Sequence, residues 1–198
     1  DPVDVAEERR RVVPLIAATR VRHPDLVISV DTWRHEVAEA AAQAGADLIN
    51  DAWAGYDPWV VDVAAQYGLG LVCSHTGGLP PRTVRVQPDY DDVVAAVRTG
   101  VRTLVERALA AGVRADGLLI DPAHDFGKTT WHSLEITRRL GELVATGWPV
   151  LVAVSRKDFV GETLGRPVTE RLAGTLATTA WCAAAGARVF RAHDVRAT

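Results

Sequence analysis

The 198-residue sequence contains no methionine and only two cysteines, Cys73 and Cys182. Without a methionine the chain does not begin at a translation start, so we expect a segment to precede residue 1. The cysteines lie far apart in apolar stretches, which excludes a disulfide scaffold and predicts buried thiols in a reducing, cytoplasmic compartment. No apolar run reaches the ~18–20 residues of a membrane span, so we expect no membrane partner.

A large excess of charge of either sign is also lacking. The net charge is −3 and 48% of the residues are hydrophobic, which excludes general disorder and a nucleic-acid binder driven by bulk charge. This composition predicts a single globular domain over 1–198 with a full apolar core. The 22 basic residues include only two lysines, Lys128 and Lys157, and each follows a predicted strand.

Short continuous apolar segments alternate with segments of helical periodicity. Strands are predicted at 26–30, 46–49, 70–73, 117–120, 149–154 and 187–190. Helices are predicted at 3–21, 33–44, about 57–67, about 90–111, about 131–146 and 169–185, and Gly45 ends the second. Of the loops at 74–89 and 155–168, the first is long enough to be functional. Because the strands are continuously apolar rather than alternating, we expect a parallel sheet with helices outside.

Polar or charged residues follow all six predicted strands. They are Asp31-Thr32, Asn50-Asp51, 74–78, 121–128, 155–158 and 191–194. The active site of a (β/α)8 TIM barrel lies at the carboxyl ends of its strands, whereas an open doubly wound sheet binds ligands at one crevice. The pattern therefore favours an α/β TIM barrel, of which this chain would hold strands 3 to 8. We expect two βα units before residue 1 and a final helix after Thr198, so that the domain is incomplete at both ends.

Several of these polar residues also have purely structural interpretations. Asp31 could only cap the following helix, Asn50-Asp51 could form a turn, and Lys157 could be a solvated surface lysine. The glycine-rich dinucleotide fingerprint and the P-loop are both absent, which excludes those two kinds of nucleotide site.

Histidines at three strand ends raise the question of a metal site. His75, His124 and His193 are possible ligands, but neither HxH nor HExxH occurs. Three cations at the strand ends would repel a divalent ion and instead indicate an anionic group such as a phosphate or pyrophosphate. These cations are Arg156, Lys157 and Arg191. Asp31, Asn50 and Asp121 suit a flat polar heterocycle, so we expect such a ring beside a phosphate ester and no metal ligated by this chain.

Six segments together resemble one known family, dihydropteroate synthase. They are ISVDT (28–32), GADLINDAW (45–53), SHTGG (74–78), DPAHDFGKT (121–129), SRKDFVGETLG (155–165) and RLAGTLATTAWCAAAGARVFRAHDV (171–195). The combination of SRK with the late R-x-H-D is specific, and the resemblance covers essentially all 198 residues. It implies a (β/α)8 barrel transferase of folate biosynthesis. Such an enzyme joins p-aminobenzoate to 6-hydroxymethyl-7,8-dihydropterin pyrophosphate and releases pyrophosphate.

The resemblance also implies roles for individual residues. Lys157 and Asp121 would be catalytic, with Lys157 contacting the pterin and stabilising charge as pyrophosphate leaves. The implied substrate-binding set is Asp31, Asn50 and Asp121 on the pterin ring, Phe126 lining its slot, Arg191 and His193 on the pyrophosphate, Ser155 beside p-aminobenzoate, and Arg156 and Lys157. Sulfonamides would compete at the p-aminobenzoate site. Mg²⁺ is implied as a cofactor, with its protein ligand outside this chain, and a homodimer is implied through the late helices.

One loop departs from the family pattern. The family usually has DPGxGFGKT, whereas this chain has Ala123 and Asp125 at the two glycine positions. Glycine is used where a ligand approaches the backbone closely, so Asp125 would place a carboxylate at the edge of the pterin slot. His124 would add a second bulky polar side chain there.

Four functions remain open on the sequence. The first is an active dihydropteroate synthase, and the second is a divergent, inactive relative that binds a pterin-like or phosphorylated ligand. A pterin-binding methyltransferase domain is third, although methyl transfer needs no pyrophosphate site. A metal-dependent barrel hydrolase is fourth, and the missing ligand spacing argues against it.

Overall fold

A computed structural model describes residues 3–78, 80–81 and 89–198, in which helices and strands alternate along the chain. The strands are β1 (Ser29–Asp31), β2 (Leu48–Asp51), β3 (Gly70–Ser74), β4 (Leu118–Asp121), β5 (Leu151–Val152) and β6 (Val189–Phe190). The helices are α1 (Val5–Arg22), α2 (His35–Ala44), α3 (Val60–Tyr67), α4 (Val93–Ala111), α5 (Thr130–Arg138), α6 (Leu140–Val144), α7 (Asp158–Leu164) and α8 (Leu172–Ala184). Much of the predicted loop at 74–89 lies outside the described residues.

Contacts divide the chain into two compact units. The first comprises residues 1–73 and 104–118, and the second comprises 74–103 and 119–198. In the first unit β1, β2 and β3 pair in parallel, with Val30 opposite Ile49 and Ile49 opposite Leu71. All three of these side chains are buried, as continuously apolar strands predict. Gly45 ends α2 in the left-handed conformation at φ 104°, which confirms its predicted role.

In the second unit β5 and β6 pair in parallel, and Ile120 of β4 forms a parallel bridge with Val150. Its core contains fully buried side chains from α4, α5, α6 and α7. They are Val94, Val97, Ile136, Leu140, Leu143 and Phe159. The carboxyl ends of β4, β5 and β6 carry the segments that begin at Asp121, at 153 and at Arg191. Together with 74–78, this unit therefore holds four of the six predicted polar segments.

Two predicted elements differ from the observed ones. The helix predicted at 131–146 is two helices, because the backbone leaves the helical region at Arg139 (φ −103°, ψ 21°), whose guanidinium bonds to Asp92, Glu135 and Glu142. The loop predicted at 155–168 contains α7.

Two sequence-based expectations about apolar residues can be compared with the structure. Cys73 and Cys182 are free and buried, which confirms the prediction of two separate thiols. Within the described ranges, no helix combines the length and the apolarity that crossing a membrane requires.

Candidate functional site

Lys128 organises the loop that follows β4. Its ammonium donates to three backbone carbonyl oxygens, those of His75 (2.7 Å), Ala123 (3.1 Å) and Phe126 (2.8 Å). The side chain is buried, and burial lowers its pKa to about 7, with the Asp121 carboxylate acting in the opposite direction. Lys128 is therefore a structural residue that holds the loop after β4 in place through these backbone bonds. Its position in the sequence did not indicate this role.

The same loop keeps the backbone conformation that glycine favours, although two of its residues are not glycine. Ala123 has φ 51° and Asp125 has φ 69°, both in the left-handed region, and Gly127 has φ 58°. The Asp121 carboxylate accepts the backbone N–H of Ala123 at 2.7 Å, which stabilises the first of these turns. The family's glycines thus match positions that require this backbone geometry.

The sequence predicts that His124 and Asp125 place polar side chains at the edge of the pterin slot, but the structure shows that His124 is buried instead. The His124 ring is completely buried and stacks on Phe159 at 5.3 Å, and its Nε2 lies 3.1 Å from the Thr137 hydroxyl. The Asp125 carboxylate accepts the backbone N–H of Asp158 at 2.7 Å, at the first turn of α7. Both side chains are used in packing within the second unit, because the left-handed turns direct them toward α5 and α7.

Lys157 lies against the loop that follows β4. Its ammonium donates to the His124 carbonyl oxygen at 2.5 Å and lies 4.9 Å from the centroid of the Phe126 ring. The second unit therefore brings together Lys157, Phe126 and the loop that begins at Asp121. Lys157 is partly buried, which argues against the interpretation of a solvated surface lysine.

Arg156 is engaged in a salt bridge instead of pointing freely to solvent. Its guanidinium makes a bidentate pair with the Asp194 carboxylate at 2.7–2.9 Å. Its backbone has φ 55°, and its N–H donates to the Thr175 hydroxyl at 3.0 Å. In this arrangement Arg156 joins the segment after β5 to the segment after β6, and its substrate-binding role stays a prediction.

Ser155 and His193 form a second link between the same two segments. The buried Ser155 hydroxyl accepts the backbone N–H of His193 at 3.1 Å and lies 2.9 Å from the His193 Nδ1. Arg191 directly follows the nearby strand β6, and its exposed side chain makes no ion pair to any other described residue. The unit thus orients an imidazole and leaves a guanidinium accessible to an anion.

Asp31 and Asn50 meet in the first unit. The Asn50 amide donates to the Asp31 carboxylate at 2.9 Å, and β1 and β2 pair these two residues directly. The helix after Asp31 begins at His35 with Arg34 at its N-cap position, so Asp31 does not cap it. Asp51 does form the alternative turn, because it accepts the backbone N–H groups of Trp53 and Gly55. Burial raises the pKa of Asp51 to about 6.

The three histidines considered as metal ligands have separate environments. Burial lowers the pKa of His75 to about 3 and lowers that of His124 well below its ordinary value. His193 is held by Ser155, as described above. Sequence reasoning missed the cluster of His35, Glu36 and Asp57, which lies in the first unit close enough to hold a metal. However, its His35 Nδ1 already bonds to Asp57 at 2.8 Å.

Comparison with known proteins identifies the class to which this parallel α/β architecture belongs. Residues 1–193 match the family described as "Pterin binding enzyme", so the chain belongs to that family. It is 58% identical over 200 residues to "Inactive dihydropteroate synthase 2" of Mycobacterium tuberculosis, covering 99% of this chain and 63% of that relative. The chain thus spans less than two thirds of that relative's length.

Two solved structures show the fold. Dihydropteroate synthase from Stenotrophomonas maltophilia superposes with a TM-score of 0.95 at 39% identity, covering 100% of this chain and 74% of that one. The Thermus thermophilus enzyme in complex with 4-aminobenzoate gives a TM-score of 0.90 at 41% identity, covering 99% and 75% respectively. The predicted family and its α/β TIM-barrel class are confirmed, including the resemblance to the divergent second copies.

Proposed function

We propose that this chain binds 6-hydroxymethyl-7,8-dihydropterin pyrophosphate and p-aminobenzoate and joins them as a dihydropteroate synthase does. One observation carries the proposal: the Lys157 ammonium lies over the Phe126 ring and beside the loop that begins with the buried Asp121 carboxylate. A flat heterocycle needs an aromatic face and a carboxylate acceptor for its N–H groups, and a departing pyrophosphate needs a nearby cation.

The proposed chemistry is mainly electrostatic. Lys157 would stabilise the negative charge that develops on the bridging oxygen as the C–O bond to pyrophosphate breaks. Arg191 and the imidazole that Ser155 orients, His193, would bind the pyrophosphate. The amine of p-aminobenzoate would then form the new C–N bond at the pterin methylene and lose a proton. No strong base among the described residues is needed for this order of events.

Four further assignments stay predictions. The pterin contacts of Asp31 and Asn50, in the first unit, rest on the resemblance, as does the p-aminobenzoate contact of Ser155. Mg²⁺ prefers oxygen ligands, so the cluster of His35, Glu36 and Asp57 fits it poorly, and no described residue is assigned to it. A homodimer also rests on the resemblance.

A second candidate, binding of the pterin pyrophosphate without turnover, is favoured by two observations. The M. tuberculosis relative at 58% identity is described as inactive. Arg156, one of the three strand-end cations, is neutralised by its bidentate pair with Asp194. Loss of one cation would weaken leaving-group stabilisation more than it weakens binding, because charge on the leaving group grows only as the bond breaks.

Calorimetric titration with the pterin pyrophosphate, followed by addition of p-aminobenzoate and measurement of released pyrophosphate, separates the candidates. Binding with release supports the synthase, and binding without release supports the second candidate. No binding at millimolar ligand would contradict both. The Lys157→Met variant is expected to bind about tenfold or more weakly. A control variant, Arg114→Ala, removes only an exposed pair with Asp116 in the first unit and is expected to bind as the unaltered chain does.

A further inference from the structure

Two short segments of the second unit are joined by three contacts, which we call the interloop clasp. One segment is His124-Asp125 of the loop after β4, and the other is 157–159 at the start of α7. The Asp125 carboxylate meets the helix backbone, the Lys157 ammonium meets the His124 carbonyl, and the His124 ring stacks on Phe159. All three contacts therefore join the two consecutive residues of the first segment to the three consecutive residues of the second.

The carboxylate contact stabilises the start of α7. Asp125 accepts the backbone N–H of Asp158 at 2.7 Å and that of Phe159 at 3.3 Å, the first two residues of the helix. Lys157, at the N-cap position, offers no side-chain capping bond of its own. A carboxylate at a helix start is favourable because the first N–H groups lack intrahelical acceptors. The cap for α7 therefore comes from another loop.

Other contacts fix Asp125 in the orientation that this role requires. Its own N–H donates to the Ser133 hydroxyl at 3.1 Å, and that hydroxyl lies 3.3 Å from its carboxylate. Its φ of 69° is a conformation that Asp and Asn adopt more readily than most residues. On the far side, Arg171 bonds to the Arg156 carbonyl and to the Asp158 carboxylate. Segment 156–158 is thus held from two directions.

We propose that Asp125 is a positioning residue that acts through α7 to hold Lys157 against the His124 carbonyl and the Phe126 ring. This inference rests on the proposed function only for its consequence on ligand binding. On this proposal the carboxylate at the glycine position does not block a pterin slot. It supplies a hydrogen-bond acceptor for the start of α7, which a glycine would lack. Changing it to glycine would therefore release Lys157 and weaken pterin binding instead of opening the site.

Chemical labelling of lysine tests the clasp directly, because the chain has only Lys128 and Lys157. The protein is acetylated with acetic anhydride, and the extent of reaction at each lysine is measured by mass spectrometry. The Asp125→Gly variant keeps the left-handed turn without strain and removes the carboxylate. We expect Lys157 to be acetylated about five- to tenfold faster in this variant, which corresponds to the free energy lost with a helix cap. The acetylation rate of Lys128 should not change. Hydrogen exchange at the Asp158 and Phe159 amides should accelerate by the same factor.

The conservative variant Asp125→Asn is the matched control. Its amide oxygen still accepts the helix N–H groups, so Lys157 should react within about twofold of the unaltered chain. Equal Lys157 reactivity in the unaltered and glycine chains would overturn the proposal. So would a parallel increase at Lys128, which would show that the whole loop had loosened, or an asparagine variant that behaves like the glycine variant.

Ligand binding gives the consequence for function. If the proposed function holds, the glycine variant binds the pterin pyrophosphate about fivefold more weakly than the asparagine variant, because Lys157 is no longer held in place. Tighter binding by the glycine variant would contradict the inference. If the unaltered chain binds no pterin pyrophosphate, the proposed function fails, whereas the labelling contrast still decides whether the clasp exists.

Discussion

At the scale of single residues, the two lysines have different tasks that their sequence positions do not distinguish. Both follow predicted strands in an arginine-rich chain. Lys128 is buried and bonds to three carbonyl oxygens, whereas Lys157 is partly exposed, bonds to the His124 carbonyl oxygen and lies over Phe126. A buried cation with three backbone acceptors supports the loop, and a partly exposed cation beside an aromatic face can still meet a ligand.

The difference predicts a difference in stability. Lys128→Met removes the donor from three carbonyl oxygens, of which that of Ala123 keeps the Phe126 N–H as a partner, so the free energy of unfolding should fall by about 3 kcal/mol. Lys157→Met removes the bond to the His124 carbonyl oxygen from a partly solvated site and should cost about 1 kcal/mol. Urea denaturation followed by circular dichroism measures both. Equal losses in the two variants would show that Lys128 has no special structural role.

At the scale of elements, long-range contacts decide where several helices begin and what they tolerate. Helix α7 begins where the Asp125 carboxylate meets its backbone. Helix α4 passes His75 so closely that a Cβ on Gly100 would lie 2.5 Å from the His75 Cδ2. Gly141, in α6, has no atom within 4 Å of the position that a Cβ would take. The two helical glycines therefore differ in the space around them: Gly100 faces the His75 ring and Gly141 faces open space.

Replacing each of these glycines by alanine separates packing from helix propensity. Gly100→Ala forces the buried His75 ring to move, and we expect a loss of about 1–3 kcal/mol in the free energy of unfolding. Gly141→Ala meets open space and gains helix propensity, so it should be neutral or stabilise the protein by up to about 1 kcal/mol. Thermal unfolding of both variants provides the comparison. A stabilising Gly100→Ala would contradict the close approach of α4 and His75.

At the scale of the whole molecule, buried histidines make stability depend on pH. Burial lowers the pKa of His75 to about 3 in the folded chain, against an ordinary value of 6.5. Between these values the unfolded chain binds a proton that the folded chain does not, so stability rises with pH and is lost as pH falls from 6.5 toward 3. His124 acts in the same direction. His35 acts oppositely, because its bond to Asp57 raises its pKa.

The His75→Leu variant isolates one of these contributions. We expect the unaltered chain to lose about 2 kcal/mol more than the variant between pH 6.5 and 4.5, since every other titrating group is common to both. Urea denaturation at a series of pH values measures this difference in slope, whatever the variant's stability at neutral pH. Parallel profiles would mean that His75 is protonated in the folded chain.

Much of the architecture follows from local sequence. Continuous apolar strands alternating with helical periodicity predict a parallel α/β fold, and the glycine at 45 marks the end of α2, because both signals depend on neighbouring residues alone. The sequence-based assignment was wrong at two places, because it missed helix α7 and the helix break at Arg139. Both places have a contact with a residue distant in sequence, Asp125 for α7 and Asp92 for Arg139, at separations of 33 and 47 residues, and no local pattern contains such contacts.

For the candidate site, too, the sequence predicts one part and only the tertiary structure decides the other. The residue types after each strand, cations together with carboxylates and an amide, predict a polar, anionic ligand from the sequence alone, because strand ends of one direction carry the site in parallel α/β folds. Only the tertiary structure decides how those side chains are used: Arg156 pairs with Asp194, His124 is buried, and the Asp125 carboxylate caps α7. The physical reason is that a side chain's partner depends on which distant backbone groups and charges the fold brings within hydrogen-bonding distance, whereas residue type and periodicity are properties of the chain itself.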